Sequence, residues 1–154
     1  MNRVFIDSDV LLDVILNRKD HCADSQKILA LAESNKIAGC TSALVIANCY
    51  YIVESNRDKA TADRAVRKLR SILNVLPLTD KEIGESLSSS FKDFEDGVQF
   101  FIAMNNAVDT IITRNISDYK KASVKVLSPK DYLSLEDVLK LLGKGEASGG
   151  ACEK

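Results

Sequence analysis

Residues 4–13, Val4-Phe5-Ile6-Asp7-Ser8-Asp9-Val10-Leu11-Leu12-Asp13, change character in the middle. Val4 to Ile6 is an unbroken apolar run, the pattern of a short strand buried on both faces. From Val10 to Leu16 the apolar residues return at helical spacing. The stretch therefore reads as a strand running straight into a helix, the opening of a βα unit. Asp7 and Asp9 stand at the junction. A carboxylate at the end of a buried strand is costly unless something compensates its charge.

The alternation continues along the chain. A helix is predicted from about Asp20 to Ser34, and a strand over Ile37–Thr41. Ser42 caps a helix through Ile52. Asp58 to Leu73 is a charged amphipathic helix with Ala62, Ala65, Val66, Leu69 and Ile72 on one face. Val75–Leu78 is a third strand, which Pro77 marks as an edge or a strand end. A short helix over Lys81–Ser89 and another over Asp93–Asn105 lead to a strand at Thr110–Thr113. The last strand, Val124–Leu127, passes through Pro129 into one helix ending near Leu142. Residues 143–154 are Gly/Ser-rich and read as a disordered tail, leaving residues 1–142 as one domain. Apolar strands alternating with helices predict an α/β fold, a three-layer α/β/α sandwich with a mostly parallel central sheet. Such sheets bind ligands beyond the carboxyl ends of their strands, where Asp7 and Asp9 lie.

The bulk numbers narrow the partners. The 154 residues carry a formal net charge of −1, so a nucleic acid would have to be met through a local basic patch or a metal ion. The basic run from Arg57 to Arg70 reads first as a solvated helix face. Arg18 and Arg114 lie nearer the acids and are the candidates for touching RNA phosphate, and Tyr119 offers a ring for stacking on a base. Cys22, Cys40, Cys49 and Cys152 make no CxxC pair and His21 is the one histidine, which argues against zinc and for reduced thiols. Asp7 and Asp9 interrupt the first apolar run, so no signal peptide is read there. No stretch reaches the roughly 20 apolar residues of a membrane span. The expected location is cytoplasmic.

Three segments carry the polar groups: Asp7-Ser8-Asp9, Asp93-Phe94-Glu95-Asp96, and Thr113 to Asp118. Carboxylates gathered at one end of a sheet repel one another unless a cation sits among them, and hard oxygen ligands suit magnesium or manganese. Simpler readings exist for each piece. Asp93 is a good helix N-cap, and Glu95 and Asp96 favour the positive end of a helix. Asn115 and Asp118 fit an Asx-type turn, and Asp9 fits the start of the first helix.

Two of these stretches resemble a known family. IDSDVLLDVILNR, residues 6–18, resembles the opening of PIN-domain nucleases. DFEDGVQFFIAMNNAVDTIITRNISDY, residues 93–119, resembles their later signature: an acid leading into a small-residue helix, a strand, then Thr-x-Asp or Thr-x-Asn. The likeness runs from Val4 to about Leu127 and is nearest to VapC-like toxins and related prokaryotic PIN proteins. It implies an endoribonuclease that uses Mg2+ or Mn2+ to hydrolyse single-stranded RNA, leaving a 5′-phosphate and a 3′-hydroxyl. It also implies a homodimer held by an antitoxin protein. Carried over residue by residue, it assigns Asp7, Asp96 and Asp118 to the metal and to catalysis, with Asp93 beside them. Asp9, Asn48, Thr113 and Asn115 surround these, the Thr113 hydroxyl orienting the loop.

Two departures follow from the same alignment. Asn48 and Asn115 stand where the family usually has acids, and Asp9 where it usually has Asn. An amide oxygen still ligates but adds no charge. A weakened PIN module that binds RNA or protein without cutting is therefore the alternative reading. A second alternative is a haloacid dehalogenase-like phosphotransferase, which the strand-Asp7-x-Asp9 pattern and the hydroxyls of Thr41 and Ser42 also resemble.

Overall fold

Val4, Phe5 and Ile6 are wholly buried in the computed structural model, which describes residues 1–119 and 123–143. They belong to β1 (Arg3–Ile6), the middle strand of a five-stranded sheet completed by β2 (Ala38–Ser42), β3 (Asn74–Leu76), β4 (Thr110–Ile112) and β5 (Lys125–Leu127). All pairings are parallel, and the strand order is β3-β2-β1-β4-β5. The helices are α1 (Ser8–Ile15), α2 (Cys22–Glu33), α3 (Ala43–Asn56), α4 (Lys59–Ile72), α5 (Asp80–Leu87), α6 (Phe94–Asn105), α7 (Pro129–Leu133) and α8 (Glu136–Gly143), with one 3₁₀ turn at Ile116–Tyr119.

The chain steps outward from β1 to β2 to β3, then crosses back to β4 on the other side of β1. Right-handed crossovers set the helices of the outward steps on one face and those of the return on the other. The contacts agree: α1 packs on α2 and α3, and α3 on α4, whereas α5 packs on α6. This is the three-layer sandwich expected from the sequence. The reversal falls between β1 and β4, in register Val4–Thr110, Phe5–Ile111 and Ile6–Ile112. Chains leaving the two strands diverge there and open a crevice beyond their carboxyl ends.

Local chemistry sets the helix limits. Asp7, Ser42, Asp58, Asp93 and Ser128 each accept a backbone N–H at the start of α1, α3, α4, α6 and α7. Asn17 and Asn35 follow α1 and α2 in the left-handed region, with φ of 52° and 56°. Three boundaries differ from the sequence reading. The helix predicted from Asp20 begins at Cys22, after a turn in which the His21 N–H donates to the Arg18 carbonyl. The third strand ends at Leu76, before Pro77. The single helix predicted after Pro129 is two, because the Ser134 N–H and hydroxyl both turn back onto the Lys130 carbonyl and close the first. Helix α8 reaches Gly143, and the rest of the predicted tail, residues 144–154, lies outside the described residues. Cys40 and Cys49 are buried free thiols, as expected, and Cys152 lies outside the described residues. Among the described residues no helix is long and apolar enough to cross a membrane.

One close approach positions the crevice. Gly97, in the first turn of α6, lies against Ser86 of α5, whose hydroxyl donates to the Phe94 carbonyl at 2.9 Å. A Cβ on Gly97 would overlap Ser86 Oγ and press on Phe91 Cβ at 3.2 Å. Gly97→Ala is therefore expected to destabilise the fold by about 1–3 kcal/mol. Urea unfolding measures this, and an unchanged midpoint would mean that α5 and α6 are not held at this spacing.

Candidate active site

The end of β1 delivers Asp7, and the helix that follows uses it at once: Asp7 Oδ1 accepts the Ser8 N–H at 2.7 Å. The other oxygen accepts the Thr113 hydroxyl at 2.9 Å, across the gap to the end of β4. Asp7 is buried, and among the described residues no arginine or lysine is bound to it. Burial, followed by the neighbouring charge of Asp9, pushes its carboxyl up to about 6. Asp9 is less enclosed. Its Oδ1 accepts the Val10 N–H at 2.7 Å and its Oδ2 the Arg114 N–H at 2.9 Å, with Thr113 Oγ1 a further 3.4 Å away. Its carboxyl is also raised, by burial first, with the backbone and charge of Arg114 acting against this.

Helix α6 brings the second group. Asp93 caps it through Oδ1, which accepts the Asp96 N–H at 3.0 Å. Asp96, one turn in, is pushed up to about 7, by burial first and then by the charges of Asp93, Asp118, Asp7 and Glu95. Asp93, Asp96 and Asp118 line one side of a cleft of about 400 Å³, together with Phe91, Lys92 and Ser117. Asp7 lies outside this lining, but its charge reaches Asp96. Asp118 comes from the 3₁₀ turn after β4, and that turn is set by Thr113, whose hydroxyl accepts the Asn115 N–H at 3.1 Å. Asn115 is exposed beside it. Asn48 reaches the same region from α3, where its Nδ2 donates to Glu95 Oε1 at 2.7 Å.

The basic residues sit differently from the sequence reading. Arg114 presents a two-pronged guanidinium to Asp13, with Nε to Oδ2 at 2.9 Å and Nη2 to Oδ1 at 3.0 Å. Arg18 approaches the same carboxylate at 3.5 Å, and Ser25 donates to it at 3.3 Å. Asp13 is wholly buried, so these groups neutralise a carboxylate that water does not reach. Arg114 lines a separate hollow with His21 and Lys130, and among the described residues Lys92 is the cation that lines the acidic cleft. The Tyr119 ring is 3% exposed and packs edge-on to Phe91, so it presents no face to a base. Sequence alone assigns no role to Asp13 or Lys92, and to Glu95 only a place at the positive end of a helix. Asp13 carries a signal in the sequence, as a lone acid on the buried face of an apolar helix.

The donor set is all oxygen and strongly mutually repelling, which fits a hard divalent cation. Among the described residues no three His, Cys, Asp or Glu side chains already surround a common point. Thr41 and Ser42 are spent inside the fold: Thr41 Oγ1 donates to the Ile6 carbonyl at 2.8 Å, and Ser42 Oγ donates to Gln99 Oε1 at 2.6 Å while capping α3. Neither hydroxyl is left for a phosphate, which removes the support for a haloacid dehalogenase-like reading.

Comparison with known proteins agrees with this geometry. Residues 3–117 match the PIN domain family. The ribonuclease VapC1 of Aquifex aeolicus is 25% identical over 135 residues, covering 84% of this chain and 92% of that protein. A VapBC2 structure from Rickettsia felis, solved on a DNA fragment from its promoter, superposes with a TM-score of 0.64 at 16% identity, over 81% of this chain and 97% of that one. VapC20 of Mycobacterium tuberculosis, described as a toxin that cleaves the sarcin-ricin loop, gives 0.62 at 12% identity, over 76% and 95%. At these identities the two structures speak for the fold alone.

Two expectations follow from the electrostatics. Asp7 and Asp96 hold protons up to about pH 6 and 7 in the folded chain, whereas an unfolded carboxyl releases them near 3.8. Between those limits the native state binds more protons than the unfolded one, so its stability falls as pH rises from about 4 to 7. In chelator, Asp7→Asn should be more stable than wild type at pH 8, and the gap should close toward pH 5. Urea melts at the two pH values measure it, and an equal gap at both would contradict the burial of an unpaired charge. Arg114→Ala should destabilise the chain by about 3–5 kcal/mol, because it removes the two-pronged partner of the buried Asp13 carboxylate and leaves the longer contacts from Arg18 and Ser25. A loss within the range of ordinary surface substitutions would show that Asp13 is compensated in some other way.

Proposed function

The chain belongs to the PIN domain family, and from that premise we propose that it is a Mg2+- or Mn2+-dependent endoribonuclease that hydrolyses single-stranded RNA. The observation that carries the reading is electrostatic. The charges of Asp7 and Asp118, from segments far apart in sequence, both bear on Asp96, and among the described residues no arginine or lysine is bound to Asp7. Asp7, Asp96 and Asp118 are the residues that would hold the cation. A bound divalent ion supplies charge neutralisation at the scissile phosphate and acidifies the attacking water.

The protein groups have distinct parts in this scheme. Thr113 holds Asp7 in one orientation through its hydroxyl. Asp9 has both oxygens engaged by backbone N–H groups, whereas the cap on α6 uses only Oδ1 of Asp93. Asp93 is thus the better placed of the two to orient a water and accept its proton. Lys92 lines the cleft and is suited to a phosphate of the RNA strand, whereas Arg18 and Arg114 are engaged by the buried Asp13.

The partners and the setting follow from relatives. Structures with this fold include VapBC and toxin–antitoxin assemblies, which supports an antitoxin protein as the partner; a homodimer and action in the cytoplasm complete the proposal as what the family resemblance implies. A second reading is kept because Asn48 and Asn115 replace acids: the chain would then bind RNA or protein with little or no cleavage.

A time course on labelled single-stranded RNA separates the two. Wild type should cut in manganese and stop in chelator, and Asp7→Asn and Asp96→Asn should each lose at least about a hundredfold in rate while staying folded. Cleavage that persists in chelator would overturn metal dependence. RNA binding without cleavage by wild type would favour the second reading.

A further inference from the structure

The cleft that holds Asp93, Asp96 and Asp118 is also lined by residues of a different chemistry: Ser90, Phe91, Lys92 and Ser117. Lys92 shares the cleft with three aspartates, yet among the described residues it forms an ion pair with none of them. An exposed ammonium left unpaired beside available acids keeps its three donors for an anion brought from solution. The exposed hydroxyls of Ser90 and Ser117 likewise have no hydrogen-bond partner among the described residues.

Phe91 adds an apolar surface that is fixed in place. It is half-buried, and its ring packs against Phe100, Phe101 and Tyr119, with centroids 5.1, 6.3 and 6.3 Å away. Its N–H donates to Ser89 Oγ at 3.3 Å. A ring held on so many sides does not swing away, so stacking a base on it costs little ordering. Tyr119, the ring that the sequence offers for stacking, packs edge-on to Phe91 and does not line the cleft. The volume of about 400 Å³ lies within the range of sites that enclose a small ligand. Single-stranded RNA is recognised through bases splayed out of their stack onto aromatic side chains. The cleft thus offers an apolar ring, a free cation and two free hydroxyls, which match the base, the phosphate and the polar edge of one nucleotide.

We propose that this part of the cleft is a subsite for one unstacked nucleotide of single-stranded RNA, with its base on Phe91 and its phosphate on Lys92. The Ser90 and Ser117 hydroxyls meet the polar edge of the base or the ribose. The inference rests on the RNA-directed reading above and adds to it the residues that select the strand. If Phe91 served only the aromatic cluster and Lys92 only the solvated surface, neither would distinguish a strand with bases from one without.

Fluorescence anisotropy of two labelled strands tests this without reference to cleavage. The strands are oligoadenylate and an abasic ribose-phosphate chain of equal length, in calcium, a hard cation that takes oxygen ligands, and each is checked to be intact after titration. Wild type should prefer oligoadenylate about tenfold, the effect of one base on an aromatic ring. Phe91→Leu keeps an apolar side chain in the cluster, and it should lose most of that preference while keeping the salt dependence. Lys92→Gln should keep the preference and lower the slope of log Kd against log salt by about 0.7, the share of one phosphate on a single strand. A wild type that binds the two strands equally would overturn the inference, and so would a Lys92→Gln slope equal to that of wild type; neither result depends on Phe91→Leu folding. Full preference in Phe91→Leu, with its circular dichroism unchanged, would also overturn it. Any of these results from a wild type that cuts RNA in the time course above leaves the proposed function standing. A wild type that neither binds nor cuts RNA removes the function and the inference together.

Discussion

The carboxyl end of this sheet depends on how β1 and β4 are tied together where they stop. Two consecutive residues after β4 serve three carboxylates on the segment after β1. Thr113 donates its hydroxyl to Asp7, Arg114 donates its N–H to Asp9, and the Arg114 guanidinium grips Asp13. Without that tie, a short helix carrying three acids would have to be buried against a sheet with nothing opposite its charge. The tie also sets the path of the 3₁₀ turn, since the Thr113 oxygen that donates to Asp7 accepts the Asn115 N–H. The position of Asp118 is thereby coupled to the position of Asp7.

The tie treats its carboxylates unequally, and the inequality separates structure from chemistry. Asp13 is the most deeply buried of the three and has two arginines on it. Asp7 is nearly as buried and has a hydroxyl and an amide N–H. Hydrogen bonds of that kind lower a carboxyl, but here they do not overcome burial, and Asp7 stays at about 6. A carboxylate paired with arginine is finished. One that is enclosed with no cation bound to it, beside Asp9 and within reach of Asp96, gains from the arrival of a cation. The segment after β1 therefore presents one acid that fastens the fold and another that no arginine or lysine neutralises among the described residues.

Much of this was legible in the sequence, and the limits follow from physical causes. Short apolar runs bounded by turn residues located all five strands, because a doubly covered parallel strand has few other ways to look. Asp7 at the end of the first run marked the place of the site, since a topological reversal puts chemistry at strand ends. Arg114 was harder. Sequence shows a cation next to an acidic loop, but whether it faces solvent or a buried acid depends on a contact 101 residues away in the chain. Tyr119 was misread for the same reason: the ring that looked available for stacking is enclosed by Phe91. The break at Ser134 turns on a local hydroxyl bond that helical periodicity does not report. Glu95 looked like an acid placed for a helix dipole, and its bond to Asn48 exists only because α3 and α6 meet.

The four-residue start of α6 illustrates why amides at positions 48 and 115 need not mean a decayed site. Asp93, Glu95 and Asp96 crowd one helix end, where the dipole and free N–H groups favour negative charge. Asp93 spends one oxygen on the cap and thereby fixes the first turn, which sets the direction of Asp96. Adding carboxylates at positions 48 and 115 would place still more negative charge around Asp7 and Asp96, whose ionisation already opposes that of their neighbours. An amide at position 48 relieves that repulsion and supplies a donor to Glu95 at the same time. Glu95 is thereby met on the α3 side by a neutral donor rather than by another acid, a contact that a count of acids at aligned positions does not reveal.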